Sequence, residues 1–82
     1  MITIVDYGMG NIRSVAKAFE VIGCEVCISS NPDELETCER IVLPGDGAFV
    51  SGMENLRERG LIDPLRREVI EKGKPFLGIC LG

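Results

Sequence analysis

Gly78-Ile79-Cys80-Leu81-Gly82 sets a cysteine between two glycines, each two residues away, directly after the apolar run Phe76 to Ile79. This is the Gly-x-nucleophile-x-Gly spacing of an elbow at the end of a strand. Such a turn is strained, and neighbours two residues from the nucleophile come too close to carry side chains. A thiol held there attacks a carbonyl carbon. The backbone N–H of Leu81, with one from a neighbouring loop, would stabilise the tetrahedral oxyanion. Gly45-Asp46-Gly47 follows another apolar run and is placed to supply that second donor. A glycine-flanked cysteine can also simply pack beneath a turn; its position after a buried strand favours the nucleophile.

A third glycine-rich loop, Gly8-Met9-Gly10-Asn11, has the makings of a phosphate cradle, because glycines let backbone N–H groups approach an anion at a helix start. The wider pattern is missing: there is no third glycine, no acidic residue ending the second strand, and no Gly-x-x-x-x-Gly-Lys-Ser/Thr. A sharp strand-to-helix turn is the stronger reading.

These loops need strands to present them. Ile2-Thr3-Ile4-Val5, Glu25 to Ser29, Ile41-Val42-Leu43 and Phe76 to Ile79 read as four short strands. Between the first two, Ile12, Val15, Ala16, Phe19 and Ile22 recur at helical spacing, with Gly23 as the stop. Asn31-Pro32-Asp33-Glu34 offers an N-cap, a proline at the first helical position and a glutamate three beyond the cap, so a short helix follows. Pro44-Gly45-Asp46-Gly47 reads as a tight turn that ends the third strand. Ser51 to Arg59 carries Met53 and Leu56; Asp63-Pro64 restarts a helix whose Ile62, Leu65 and Val69 share a face before Gly73 ends it. Strands that are continuous apolar runs and alternate with helices predict an α/β fold, a parallel sheet covered on both sides. Ligands of such sheets bind beyond the carboxyl ends of the strands, where the three loops fall.

Bulk properties exclude other classes. The 82 residues carry a net charge of -4 and no histidine, which gives no basic footprint for nucleic acid. No apolar stretch approaches the roughly 20 residues that span a bilayer, and the amino end lacks a signal-peptide layout, so the expected location is cytoplasmic. One small domain fits this length, and it buries only roughly 60 to 65% of its unfolded surface. Cys24 and Cys27 have the spacing of half a metal clip, but there is no second pair and no histidine, so no metal or other cofactor is expected. Cys24, Cys27 and Cys38 read as small packing thiols.

The blocks DYGMGNIRSV, PGDGAF, GMENLRERGLIDPL and KPFLGICLG, in this order, resemble the amino-terminal part of class I glutamine amidotransferases, most closely the glutaminase subunits of imidazole glycerol phosphate synthases. The resemblance covers essentially the whole chain. It implies a flavodoxin-like domain, of which these residues form the amino-terminal part with about four strands, ending just after the elbow. It also implies a Cys-His-Glu triad in which Cys80 attacks the side-chain amide of glutamine, releases ammonia and forms a glutamyl thioester that water hydrolyses. By resemblance Gly45, Asp46, Gly47 and Leu81 build the oxyanion hole and help bind glutamine; the family more often has valine at position 46. Gly10 and Asn11 would lie at the active-site mouth, facing a barrel-shaped cyclase subunit of histidine biosynthesis. A glutaminase of pyridoxal phosphate synthesis is the related alternative, disfavoured by DYGMGN and PGDGAF.

With no histidine among the 82 residues, the chain is expected to be inactive alone. A non-catalytic folding module that self-associates is the alternative from another class. An apolar fourth strand at a sheet edge would promote homo-oligomers.

Overall fold

The computed structural model describes residues 1–8, 10–45 and 49–80. Strands β1 (Ile2–Val5), β2 (Val26–Ser29), β3 (Arg40–Gly45) and β4 (Phe76–Cys80) alternate with helices α1 (Ile12–Val21), α2 (Pro32–Thr37), α3 (Phe49–Glu58) and α4 (Ile62–Leu65). A π-helical segment, Arg66–Glu71, continues α4. The strands form one parallel sheet in the order β2-β1-β3-β4, as expected for the amino-terminal part of a flavodoxin-like α/β domain. No helix among the described residues is long and apolar enough to cross a membrane.

Strand alternation sorts the side chains into two cores. Ile4 and Val42, paired in register, pack with Val15 and Ala16 of α1, and Ile2, Phe19, Val26 and Ile79 join them. On the other face Val5, Tyr7, Ile41 and Leu35 pack with Leu56 and Leu61 beneath α2, α3 and α4. Each face is thereby removed from water at roughly 25 cal/mol per Å² of apolar surface. Coverage thins toward the edge, where Phe76 and Leu77 of β4 remain 44% and 49% exposed.

The helix ends follow local chemistry. Asn31 caps α2, its Oδ1 accepting from the Asp33 N–H at 2.9 Å, with Pro32 at the first position. Glu34 does not complete a reciprocal box: the Asn31 N–H donates to the Ser29 hydroxyl oxygen instead, and the Glu34 carboxylate accepts from the Cys27 thiol. Helix α1 closes with paired bonds from the Gly23 N–H to Glu20 O and from the Cys24 N–H to Phe19 O, around Gly23 at φ +90°. That closure takes Ile22 out of the apolar stripe expected of it and leaves it 73% exposed.

A second correction concerns β3. Pro44 and Gly45 do not turn the chain; they continue the strand and pair with Ile79 and Cys80. The Ile41 N–H donates to Pro75 O at 3.0 Å, so positions 41, 43 and 45 face β4 and the Pro44 nitrogen faces β1. Pairing with β1 ends at Val42, so the missing N–H falls where no ladder bond is needed. Asp46 and Gly47, the rest of that expected turn, lie outside the described residues.

Glu68, in the π-helical segment, is 1% exposed and was not foreseen. Its carboxylate meets the Lys74 ammonium at 2.8 Å and the Lys72 ammonium at 3.0 Å; no neutral donor among the described residues reaches it. Lys74 also donates to Leu35 O and Glu36 O at the end of α2, both at 2.6 Å. One ammonium thus satisfies two helix-end carbonyls and a buried carboxylate, and it fixes the chain two residues before β4 begins. The hydrogen bond from Lys74 holds the Glu68 carboxyl below its ordinary pKa; burial opposes this and Lys72 reinforces it.

Removing one partner of a buried pair is costly, so Lys74→Met should destabilise the chain by about 3 kcal/mol, a large part of the roughly 4–12 kcal/mol expected for its length. Lys72, whose side chain is 47% exposed, should cost under about 1 kcal/mol as Lys72→Met. Because the folded pKa of Glu68 lies below the ordinary glutamate value, its contribution is present above that ordinary value and fades as pH falls through the folded one. Urea denaturation of wild type and Lys74→Met from pH 7 downward should show the two stabilities converging in acid; a constant difference would refute this account.

Candidate functional site

At the carboxyl edge of the sheet, Gly45 ends β3 and Cys80 ends β4, and the two are register partners. Two of the expected site residues therefore lie side by side on adjacent parallel strands. Leu81, like Asp46 and Gly47, lies outside the described residues. The chain leaving β1 closes over the same spot. Gly10 has φ +81°, and a Cβ on it would come within 3.0 Å of both Gly45 N and the Pro44 carbonyl carbon. Glycine is needed there twice over, for the left-handed backbone and for the close approach. Asn11 is exposed and has a structural task as well: its Oδ1 accepts from the Ser14 N–H at 3.4 Å to cap α1.

The first turn of that loop is closed by the Gly8 N–H donating to Asp6 Oδ1 at 3.3 Å. A Cβ on Gly8 would meet the Arg59 guanidinium at 3.1 Å and the Asn55 side chain at 3.3 Å, so the far end of α3 lies beside this loop. Tyr7 is buried just inside it, 5% exposed, with its hydroxyl 3.2 Å from where a Gly45 Cβ would sit. Neither Tyr7, Asn55 nor Arg59 stood out in the sequence. A lone tyrosine between a strand and a glycine turn was the available signal for the first; for the other two there was none. A cleft of about 270 Å³ lined by Arg57, Gly60, Ile62 and Asp63 lies at the turn from α3 to α4 and involves none of the expected site residues.

The remaining thiols are of another kind. Cys24, Cys27 and Cys38 are free, and no group of three or more potential metal ligands occurs among the described residues. Cys27 Sγ lies 3.4 Å from both Thr3 Oγ1 and Glu34 Oε2. Burial raises the pKa of this thiol, the Thr3 hydrogen bond opposes that, and the Glu34 carboxylate raises it further, so Cys27 is poorly suited to act as a thiolate.

The edge thus combines a cysteine at a strand end, a glycine backbone beside it and a glycine loop packed against that backbone. Residues 3–82 match the family model for glutamine amidotransferase class-I. The chain is 52% identical over 81 residues to the imidazole glycerol phosphate synthase subunit HisH of Geobacter sulfurreducens, covering 99% of this chain and 38% of that protein. It is 49% identical over 82 residues to HisH 1 of Campylobacter jejuni, covering all of this chain and 41% of that protein, and 46% identical to HisH 2 of Methanococcus maripaludis. The chain therefore spans about two fifths of the length of these curated relatives.

The packing at Gly10 makes a test of the loop geometry. Gly23 also has positive φ, but nothing lies within 4 Å of its added Cβ. Gly23→Ala should therefore cost only backbone strain, about 1–2 kcal/mol, whereas Gly10→Ala should cost at least about 1 kcal/mol more through overpacking against Pro44 and Gly45. Comparing midpoints of chemical denaturation checks this; equal losses would mean the loop yields freely.

Proposed function

Because the chain belongs to the glutamine amidotransferase class-I family, we propose that its 82 residues form the amino-terminal, nucleophile-bearing part of a glutaminase that supplies ammonia to a cyclase. The observation that supports this best is the pairing of Cys80 with Gly45 at the carboxyl edge, within a Gly-x-Cys-x-Gly pattern. In this reading the Cys80 thiolate attacks the side-chain amide carbon of glutamine. The carbonyl π electrons move onto oxygen, and backbone N–H groups of Leu81 and of the Gly45-Asp46-Gly47 segment receive that oxyanion. Collapse breaks the C–N bond; nitrogen leaves as ammonia after gaining a proton, and the glutamyl thioester remains. Water then hydrolyses the thioester to glutamate and restores the thiol.

The proton needs a shuttle. These 82 residues contain no histidine, so the reading requires an imidazole base contributed from outside them, as in the Cys-His-Glu triad of the family. The relatives' names describe subunits of imidazole glycerol phosphate synthase. By that likeness the ammonia passes to a barrel-shaped cyclase in histidine biosynthesis, in the cytoplasm, and Gly10 and Asn11 lie at the mouth that faces it. No cofactor takes part.

The exposed apolar edge favours a second property, self-association of the 82-residue chain. Among the described residues β4 pairs only with β3, and its Phe76 and Leu77 are half exposed. An uncharged edge strand is a template for another chain.

Three outcomes are expected. In a glutaminase subunit carrying these residues, Cys80→Ala should lower ammonia release from glutamine by more than about a thousandfold. The purified 82-residue chain should release no more ammonia than its own Cys80→Ala variant, and Cys80-dependent turnover would show that a base exists within it. Sedimentation equilibrium at micromolar concentration should find this chain as a dimer or larger, shifted toward monomer by Leu77→Lys; a well-folded monomer would rule out the edge as a sticky surface.

A further inference from the structure

Tyr7 lies close to the end of β3 and to the first turn of α3. Its hydroxyl lies 3.2 Å from where a Cβ on Gly45 would sit, and its Cε2 and hydroxyl lie 3.6 and 4.0 Å from where a Cβ on Gly52 would sit. The ring is 5% exposed and held in the core cluster of Val5, Leu35, Ile41, Leu56 and Leu61. Both residues it approaches are glycine, so the tyrosine lies close against strand and helix backbone with no side chain between. Gly10 abuts Gly45 N and the Pro44 carbonyl carbon. The Gly45 backbone is therefore bounded by the Gly10 turn, by the Tyr7 hydroxyl and by its register partner Cys80.

A glycine at the end of a strand has the widest backbone freedom of any residue, and here that freedom is confined by a rigid aromatic side chain that is itself locked in the core. We propose that Tyr7 is a positioning residue for the glutaminase reaction: it holds the Gly45 backbone at a fixed distance and orientation beside Cys80, and so aligns the segment that donates to the oxyanion. This inference rests on the reading of Cys80 as the nucleophile. In this role Tyr7 acts through Gly45. The effect belongs to the transition state, because an oxyanion donor displaced by a fraction of an ångström loses its bond to the developing charge while glutamine binding is little altered.

The test uses a glutaminase subunit carrying these residues, assembled with its cyclase partner. Tyr7→Phe should lower kcat for ammonia release roughly tenfold with KM nearly unchanged. Gly45→Ala should lower kcat further, because its methyl meets the hydroxyl. Adding Tyr7→Phe should then recover part of that loss, since the hydroxyl is the nearest obstacle. Wild-type kcat in Tyr7→Phe, or a Gly45→Ala defect that Tyr7→Phe does not relieve, would overturn the proposal. Cys80→Ala in the same enzyme separates the two readings: if ammonia release survives it, the glutaminase reading falls. The melting temperatures of wild type, the two single variants and the double variant judge the contact independently of activity. A double variant less destabilised than the sum of the single ones supports it, and strict additivity overturns it.

Discussion

Pro44 has no N–H to give, so β3 runs as far as Gly45 only because that nitrogen falls on the side where pairing with β1 has already ended. The bonds to β4 are carried by the residues on either side of it, and the ladder from Ile41↔Phe76 to Gly45↔Cys80 continues unbroken. Everything at the carboxyl edge depends on this. Were the chain to turn at Pro44, Cys80 would have no strand beside it, and Gly10 and Tyr7 would have no backbone to close on.

Strand β4 is fixed at its amino end by electrostatics. Lys74, two residues before β4, sits where a buried carboxylate and two helix-end carbonyls converge. Each of those groups would be costly to bury alone; together they leave the lysine one position. Strand β4, which has a neighbour on one side only among the described residues, is thus located by an ion pair below and by the β3 ladder along its length. Its outer flank contributes little, as the exposure of Phe76 and Leu77 shows.

Much of this was legible in the residues. Apolar β-branched runs, the Asn31-Pro32 start and the Gly23 stop located four strands and the first two helices to within a residue or two, because these signals act between near neighbours. That Gly45 and Cys80 lie at the same edge followed in outline, since strands of an open α/β sheet all present their carboxyl ends to one edge; their pairing as strand residues did not. Pro44 was misread: the lost hydrogen bond is a local fact, but whether it matters depends on which neighbour the nitrogen faces. Ile22 matched the helical period and still points to water, because the bonds that close α1 take effect one residue earlier.

Composition and apolar periodicity by themselves determined the class of the fold and the parallel sheet, and the spacing about Cys80 singled it out as the candidate nucleophile. Those properties are set by chain stereochemistry and by the separation of apolar from polar side chains, and both can be read along a line. Tertiary structure alone decided that Glu68, a surface residue by type, is buried between two lysines, and that Tyr7 lies against Gly45 and Gly52. Tyr7 and Gly45 are far apart in the chain and meet only once the sheet has brought β1 and β3 side by side; Glu68 and its lysines are near neighbours, but Lys74 reaches Leu35 and Glu36 only once the helices have closed over the sheet.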